Sequence, residues 1–253
     1  MGMTRALRRL PIATTVTPTS VTMAAEEASL ALFASEGALG IGERALGWFE
    51  EATREVKERL PPPRPLGCGD GCAFCCHLKV TVSPPELIHL ARHIRTTRTE
   101  SEVRTLIGRL REAHAKTMHL DTIARADLQL PCPLLENDRC TAYEARPLHC
   151  AGANAYDPKQ CEDAFTHIER DVAVSLYMPQ AQIADVIAAG ISRASFGRRR
   201  AGAMLELISG LLLSLEDPSR DAAWERGEDA FAEARDRELE ALIAATPVAS
   251  SPK

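Results

Sequence analysis

The chain has 253 residues, 45% of them apolar, which is enough to bury a real core in one or two domains. Aromatic residues are only 4%, so that core must be built mainly from Ala, Leu, Ile and Val. A net charge of −5 and a pI near 5.9 give no general attraction to nucleic acid or to an anionic membrane, and no apolar run reaches the length of a transmembrane helix.

Residues 1–23 carry Arg5, Arg8 and Arg9 but no acid, and Pro11 and Pro18 interrupt any amphipathic helix. They read as a disordered tail. They lack the apolar centre of a secretory signal, so the expected compartment is the reducing cytoplasm, where cysteines stay thiols or bind metal.

From Ala24 the pattern turns helical, with Leu30, Leu32 and Phe33 in one short helix that Gly37, Gly40 and Gly42 are expected to break. Ala45, Trp48, Phe49, Ala52, Val56 and Leu60 then lay one apolar stripe on a helix from about Glu43 to Arg59, closing an N-terminal helical region over 24–60. Pro61-Pro62-Pro63-Arg64-Pro65 stops it and continues as a stiff spacer.

The spacer runs into Cys68-Gly-Asp-Gly-Cys72-Ala-Phe-Cys75-Cys76, which holds four of the eight cysteines. Leu78 to Val82 suits a short strand. Ser83 before Pro84, Pro85 and Glu86 opens a helix, and Thr99 with Glu102 is a capping-box pattern opening another. These two helices, to about Met118, read as scaffold closing the site. The distal cysteines, Cys132, Cys140, Cys150 and Cys161, lie among turn formers, where irregular backbone is expected.

Beyond Cys161 the chain returns to helix over 166–247. One helix carries Ile183, Val186, Ile187 and Ile191, and another runs through Met204, Leu205, Leu207, Ile208, Leu211 and Leu212. A final charged helix holds Trp224, Phe231, Leu239, Leu242 and Ile243. Ser250 to Lys253 reads as frayed. The predicted fold class is mostly α, a helical scaffold around an irregular, metal-stabilised cysteine-rich core spanning 66–165.

Thiolates concentrated in this way are usually gathered by a metal. Zinc takes four in a tetrahedron. Iron–sulfur clusters, 4Fe–4S among them, also take four, often three from one tight loop and one remote. The gaps of three and two residues between Cys68, Cys72 and Cys75 suit a cluster loop better than a zinc knuckle. Neighbours in an extended segment point apart, so Cys75 and Cys76 are expected to serve different sites. The tidy division gives Cys68, Cys72 and Cys75 one distal partner and places Cys76 with the other three, without saying which distal residue goes where. Either site would be anionic, and Lys79, Arg139, Arg146 and Lys159 are candidate counter-charges. A structural zinc is worth roughly 10–16 kcal/mol in small peptides, comparable to a whole domain's net stability of about 5–15 kcal/mol. A purely structural metal is therefore a full competitor.

Other candidates are less specific. Glu86, His89 and His93 share a helix face, and His77 and His149 adjoin cysteines. Phe74 suits packing over the site. Arg198-Arg199-Arg200 reads as a helix-end surface patch able to meet an acidic partner.

The loop Cys68-x3-Cys72-x2-Cys75-Cys76, followed by Cys132-Pro133-Leu134-Leu135 and by Cys140-Thr141-Ala142-Tyr143-Glu144-Ala145-Arg146-Pro147-Leu148-His149-Cys150, resembles the YkgJ-type cysteine-cluster family, described as zinc- or iron-chelating. The resemblance covers about 66–165. It implies metal binding by all eight cysteines, with Tyr143, Arg146 and Pro147 as motif positions. Ala151 stands where the family often has arginine after its last motif cysteine. A similar cluster accompanies flagellin lysine N-methylases, so the resemblance leaves enzyme and accessory protein both open. Cys68-x3-Cys72-x-Phe74-Cys75 also resembles the radical S-adenosylmethionine loop, but those enzymes need a β/α barrel and no strand series follows Cys76.

Three functions follow. The first is a redox or accessory protein in a modification pathway, holding an iron–sulfur cluster, favoured over zinc. The second is a module whose structural zinc supports a protein or peptide interaction surface. The third is an enzyme with an open iron site.

Overall fold

The computed structural model describes residues 17–69, 71–170, 172–198 and 200–245, and among these helix dominates. The first helix, α1 (Pro18–Ser35), begins inside the stretch read as a tail. Thr17 and Ser20 cap it reciprocally, at 2.9 and 3.1 Å, and Pro18 sits in the first turn, where its missing N–H costs nothing. Val21, Ala24 and Ala25 are buried. The proline that seemed to forbid a helix starts one, and residues 1–16 lie outside the described residues.

The second helix, α2 (Gly37–Arg59), starts at Gly37 rather than near Glu43 and runs through Gly40 and Gly42 without a break. At Gly42 a Cβ would overlap the Pro85 carbonyl oxygen and His89 Cβ, so the glycine is there to let α2 and the next helix approach. That helix, α3 (Pro84–Thr97), has the Ser83–Glu86 capping box, and α4 (Glu100–Thr117) has the Thr99–Glu102 box, both as the sequence predicts. A short α5 (Thr122–Asp127) follows.

The strands are small. β1 (Thr81–Val82) pairs antiparallel with β4 (Leu205–Glu206), Thr81 opposite Glu206 and Val82 opposite Leu205. β2 (Leu135–Glu136) and β3 (Arg139–Cys140) form a hairpin whose two turn residues, Asn137 and Asp138, have φ of 51° and 60°. Both in the left-handed region is the twist-compatible way to join two strands. Cys150 and Cys161 sit not on irregular backbone but on short helices, α6 (Leu148–Gly152) and α7 (Pro158–Thr166).

The long α8 (Met178–Gly197) packs along α1 and α2. The helix expected from Met204 begins later, as α9 (Leu207–Glu216), because the Glu206 carboxylate caps it by accepting from the amides of Ile208 and Ser209 at 3.1 and 2.8 Å. The expected final helix is split into α10 (Ser219–Glu225), a 3-10 turn at Ala232–Ala234 and α11 (Arg237–Ala245), since the chain turns at Gly227 to bring Phe231 inward. Ser250 to Lys253 lie outside the described residues.

One buried apolar cluster runs from Val21 to Ala234, drawing on α1, α2, α3, α4, α8, α9 and α10, with Trp48 and Trp224 almost wholly inside. The arginine run is only partly a surface patch. Arg198 donates to the Leu30 carbonyl at 3.0 Å, and Arg200 stacks on Phe33 while pairing with Glu225 at 3.1 Å. Arg199 lies outside the described residues. No helix of the described residues is long and apolar enough to cross a membrane.

Candidate metal centre

The proline spacer delivers the cysteine loop to a fixed place. Tyr177 donates its hydroxyl to the Leu60 carbonyl at 2.6 Å where α2 ends, and the Gly67 amide donates to the Ala155 carbonyl at 3.0 Å. Gly67 lies so close to Tyr156 and Pro158 that a Cβ would stand 2.8 Å from the Tyr156 carbonyl oxygen. The first cysteine is thereby held beside the start of α7. The loop closes in a 3-10 turn, Phe74–His77, with the Cys76 amide donating to the Ala73 carbonyl at 2.9 Å. The Cys132 amide donates to the Cys76 carbonyl at 2.8 Å, which lays the distal segment against the end of the loop.

The sulfurs gather by these contacts. The Cys68 thiol interacts with that of Cys72, and the Cys75 thiol with that of Cys76. The expectation that Cys75 and Cys76 point apart assumed extended backbone, and the 3-10 turn instead lets their thiols meet. On α7, Cys161 has Cys68, Cys72, Cys75 and Asp157 as neighbours that raise its thiol. Cys150 has Cys132, Cys140 and Cys75. Backbone amides donate to three sulfurs: Ala155 to Cys68 at 3.1 Å, Leu134 to Cys132 and Ala142 to Cys140. Such bonds favour thiolate over thiol.

Without a cation, crowding wins over those amides. Burial pushes the thiols of Cys132 and Cys161 up to about 11, and Cys150 well above the ordinary thiol value, with neighbouring cysteines adding to the effect. Cys75 is raised first by its hydrogen bond to Cys76 and then by burial, while burial leads for Cys68 and Cys140. A soft divalent metal or an iron–sulfur core reverses this balance by supplying the missing positive charge, so the donor set is chemically suited to one. All eight are free thiols, and among the described residues no three Cys, His, Asp or Glu side chains are drawn together at metal-binding range.

Seven of the eight cysteines, all but Cys161, line one cavity of about 1270 Å³. His149 also borders it, with both ring nitrogens engaged, Nδ1 by the Thr81 carbonyl at 2.8 Å and Nε2 by Asp185 at 3.3 Å. His77 sets Nδ1 on the Ala73 carbonyl at 3.1 Å and its ring against Phe165, whose centroid also lies 5.8 Å from Phe74. Phe74 packs on Phe165 of α7 and is not among the residues lining the cavity. Glu86 is turned inward, accepting from Ser83 and from the Leu148 amide at 2.8 Å, and so caps helices rather than joining His89 and His93 at a site.

Of the predicted counter-charges, Lys79 is already held by Asp236 and Glu238 at 2.8 and 2.9 Å. Arg146 lies over Tyr143 and reaches Glu50 at 3.7 Å. Arg139 lines the cavity, and Lys159 on α7 is not among its lining residues. Sequence reasoning missed Arg125. This residue is 2% exposed, lines the cavity and ties the two cysteine segments together by donating to the His77 and Leu130 carbonyls, each at 2.7 Å. Its position on a six-residue helix after a turn gave no periodic signal to find it by.

The cysteine pattern is matched by a comparison with known families. Residues 67–170 fit the family model CxxCxxCC, described as "Putative zinc- or iron-chelating domain". This stretch is similar to the CxxCxxCC domain. All eight cysteines fall inside it, and the match supports metal binding in general. The remaining helices, α1, α2 and α8 to α11, lie outside the CxxCxxCC domain and form much of the core around it. No curated protein and no solved structure matches the chain.

Proposed function

We propose that the eight cysteines bind metal as two four-sulfur sets, one of Cys68, Cys72, Cys75 and Cys161, the other of Cys76, Cys132, Cys140 and Cys150. The observation that supports this reading is the company each distal cysteine keeps: Cys161 near Cys68, Cys72 and Cys75, and Cys150 near Cys132 and Cys140 first and Cys75 next. The Cys132–Cys76 backbone bond supports placing the remaining loop cysteine with Cys132. The contact between Cys75 and Cys76 puts the two sets side by side.

Iron–sulfur is favoured over zinc because three ligands come from one tight loop and the fourth from a remote helix. Bound there, a cluster supplies one-electron chemistry, whereas zinc supplies none. The chain's own part is to fix the sulfurs: amides at 134, 142 and 155 stabilise them as thiolates, Arg125 holds the two segments in register, and Phe165 packs against Phe74 and His77. The role is redox or accessory within a modification pathway, in the cytoplasm, with a protein or peptide as partner. A structural zinc is the second reading, supported by the position of the cysteines between helices that meet in one core. An open-iron enzyme has less behind it, since the described strands are two residues each rather than a barrel series.

Iron, zinc and acid-labile sulfide measured on protein purified without oxygen decide between the readings. Iron with matching sulfide and a visible charge-transfer band is expected. Stoichiometric zinc in a colourless sample would end the redox reading.

A further inference from the structure

The cavity is larger than a metal site requires. Its volume of about 1270 Å³ exceeds the roughly 300–1,000 Å³ of ordinary small-molecule pockets. The cysteines form one side. Another is formed by the second half of α2 and the start of α8, both outside the CxxCxxCC domain. Phe49, Leu134 and Leu207 supply apolar surface between them.

Most charges lining the cavity are matched within the protein. Glu58 pairs with Arg54 at 3.1 Å, Glu50 with Arg146, Lys79 with two carboxylates, and Glu206 caps α9. Lys57 is different. Its ammonium lies 5.9 Å from the Tyr177 ring centroid, and it has no carboxylate partner among the described residues. One helical turn earlier on the same face is Thr53, only 7% exposed, whose hydroxyl oxygen is buried with no hydrogen-bond partner. Tyr177 stands just before α8, and three residues on is Gln180. Its Nε2 donates to the Ala151 carbonyl at 3.3 Å, while its Oε1 is buried and unpartnered. Two unpaired donors and one unpaired acceptor therefore border the same cavity, where α2 meets α8. Buried polar atoms are almost always satisfied, so a set left open beside a cavity is a binding signature.

We propose that this cavity binds a small apolar carboxylate that also carries an N–H donor. Lys57 and Thr53 take the carboxylate, the threonine hydroxyl reaching it from the second χ1 rotamer that helices allow. Gln180 Oε1 accepts the N–H, and the apolar body lies against Phe49, Leu134 and Leu207. The proposal does not depend on which metal the cysteines hold.

The test is calorimetric titration of the full-length protein, as purified, with N-acetyl-L-leucine, which has one carboxylate, one N–H and an isobutyl group. Saturable one-to-one binding is expected. Affinity should fall about tenfold or more for N-acetyl-L-leucinamide, for 4-methylpentanoate and for the Lys57→Met variant. Thr53→Val should separate stability from binding. Removing an unpaired buried hydroxyl raises the melting temperature of the ligand-free protein, and the same change weakens the probe. No saturable heat with the wild type, or unchanged affinity in Lys57→Met and Thr53→Val variants of unaltered circular dichroism, would overturn the proposal.

Discussion

A cysteine in this fold is poised by opposing effects. Amides at Leu134 and Ala142 favour the thiolates of Cys132 and Cys140, yet burial keeps both thiols protonated, helped at Cys132 by the neighbouring Cys140. The consequence is a stability that depends on pH in opposite ways with and without metal. Without metal, burial pushes the Cys132 thiol up to about 11 in the folded chain, against 9.0 for an ordinary thiol. Between those values the unfolded chain has released a proton that the folded chain retains. Folding stability is therefore complete below the lower value and is lost as pH rises through the window. With metal bound, the same cysteines are already thiolates, and it is falling pH that destabilises by letting protons compete for sulfur. Urea midpoints measured at several pH values, before and after chelation, should show these opposite slopes. Parallel profiles would mean that the cysteines do not hold the metal.

At the scale of elements, the connection between scaffold and site runs through helix caps. Glu86 is 4% exposed and accepts from the Ser83 amide, the Ser83 hydroxyl and, from across the fold, the Leu148 amide that opens α6. It fixes the start of the helix carrying Cys150. Replacing it by alanine strands a buried hydroxyl and two amides, and should cost about 2–4 kcal/mol in a denaturant titration. Glu86→Gln, which keeps an acceptor, should cost less; equal losses would show that packing rather than capping is at stake. The capping boxes at Ser83 and Thr99 were legible because their signal is local, four residues long and chemically specific. Pro18, Gly40 and Gly42, and the start of the helix expected from Met204, misled for one common reason. Each has a local meaning, breaker or helix former, that the surroundings replace: a first-turn position for the proline, a close helix approach for Gly42, a carboxylate cap for Glu206. Adjacent Cys75 and Cys76 were judged on extended backbone, and a 3-10 turn changes where they point.

For the whole molecule, the eight cysteines were visible in the sequence as residues, but their grouping was not. Spacing alone cannot say which of four distal cysteines returns to the loop, because that depends on how α7 is placed. The placement comes from the Gly67–Ala155 bond and the aromatic contacts of Phe165. Nor could sequence show that α2 and α8, outside the CxxCxxCC domain, help enclose the cavity that the cysteines line. The molecule is thus a chelating segment set into a core that its flanks help to build. The measurement that tests this account most directly is the metal content of Cys161→Ser beside Cys150→Ser, each against the wild type. Two four-sulfur sets predict that each variant keeps about half the bound metal, with different residual spectra, because each has lost a different set. Loss of all the metal in both variants, or of none in either, would contradict the division.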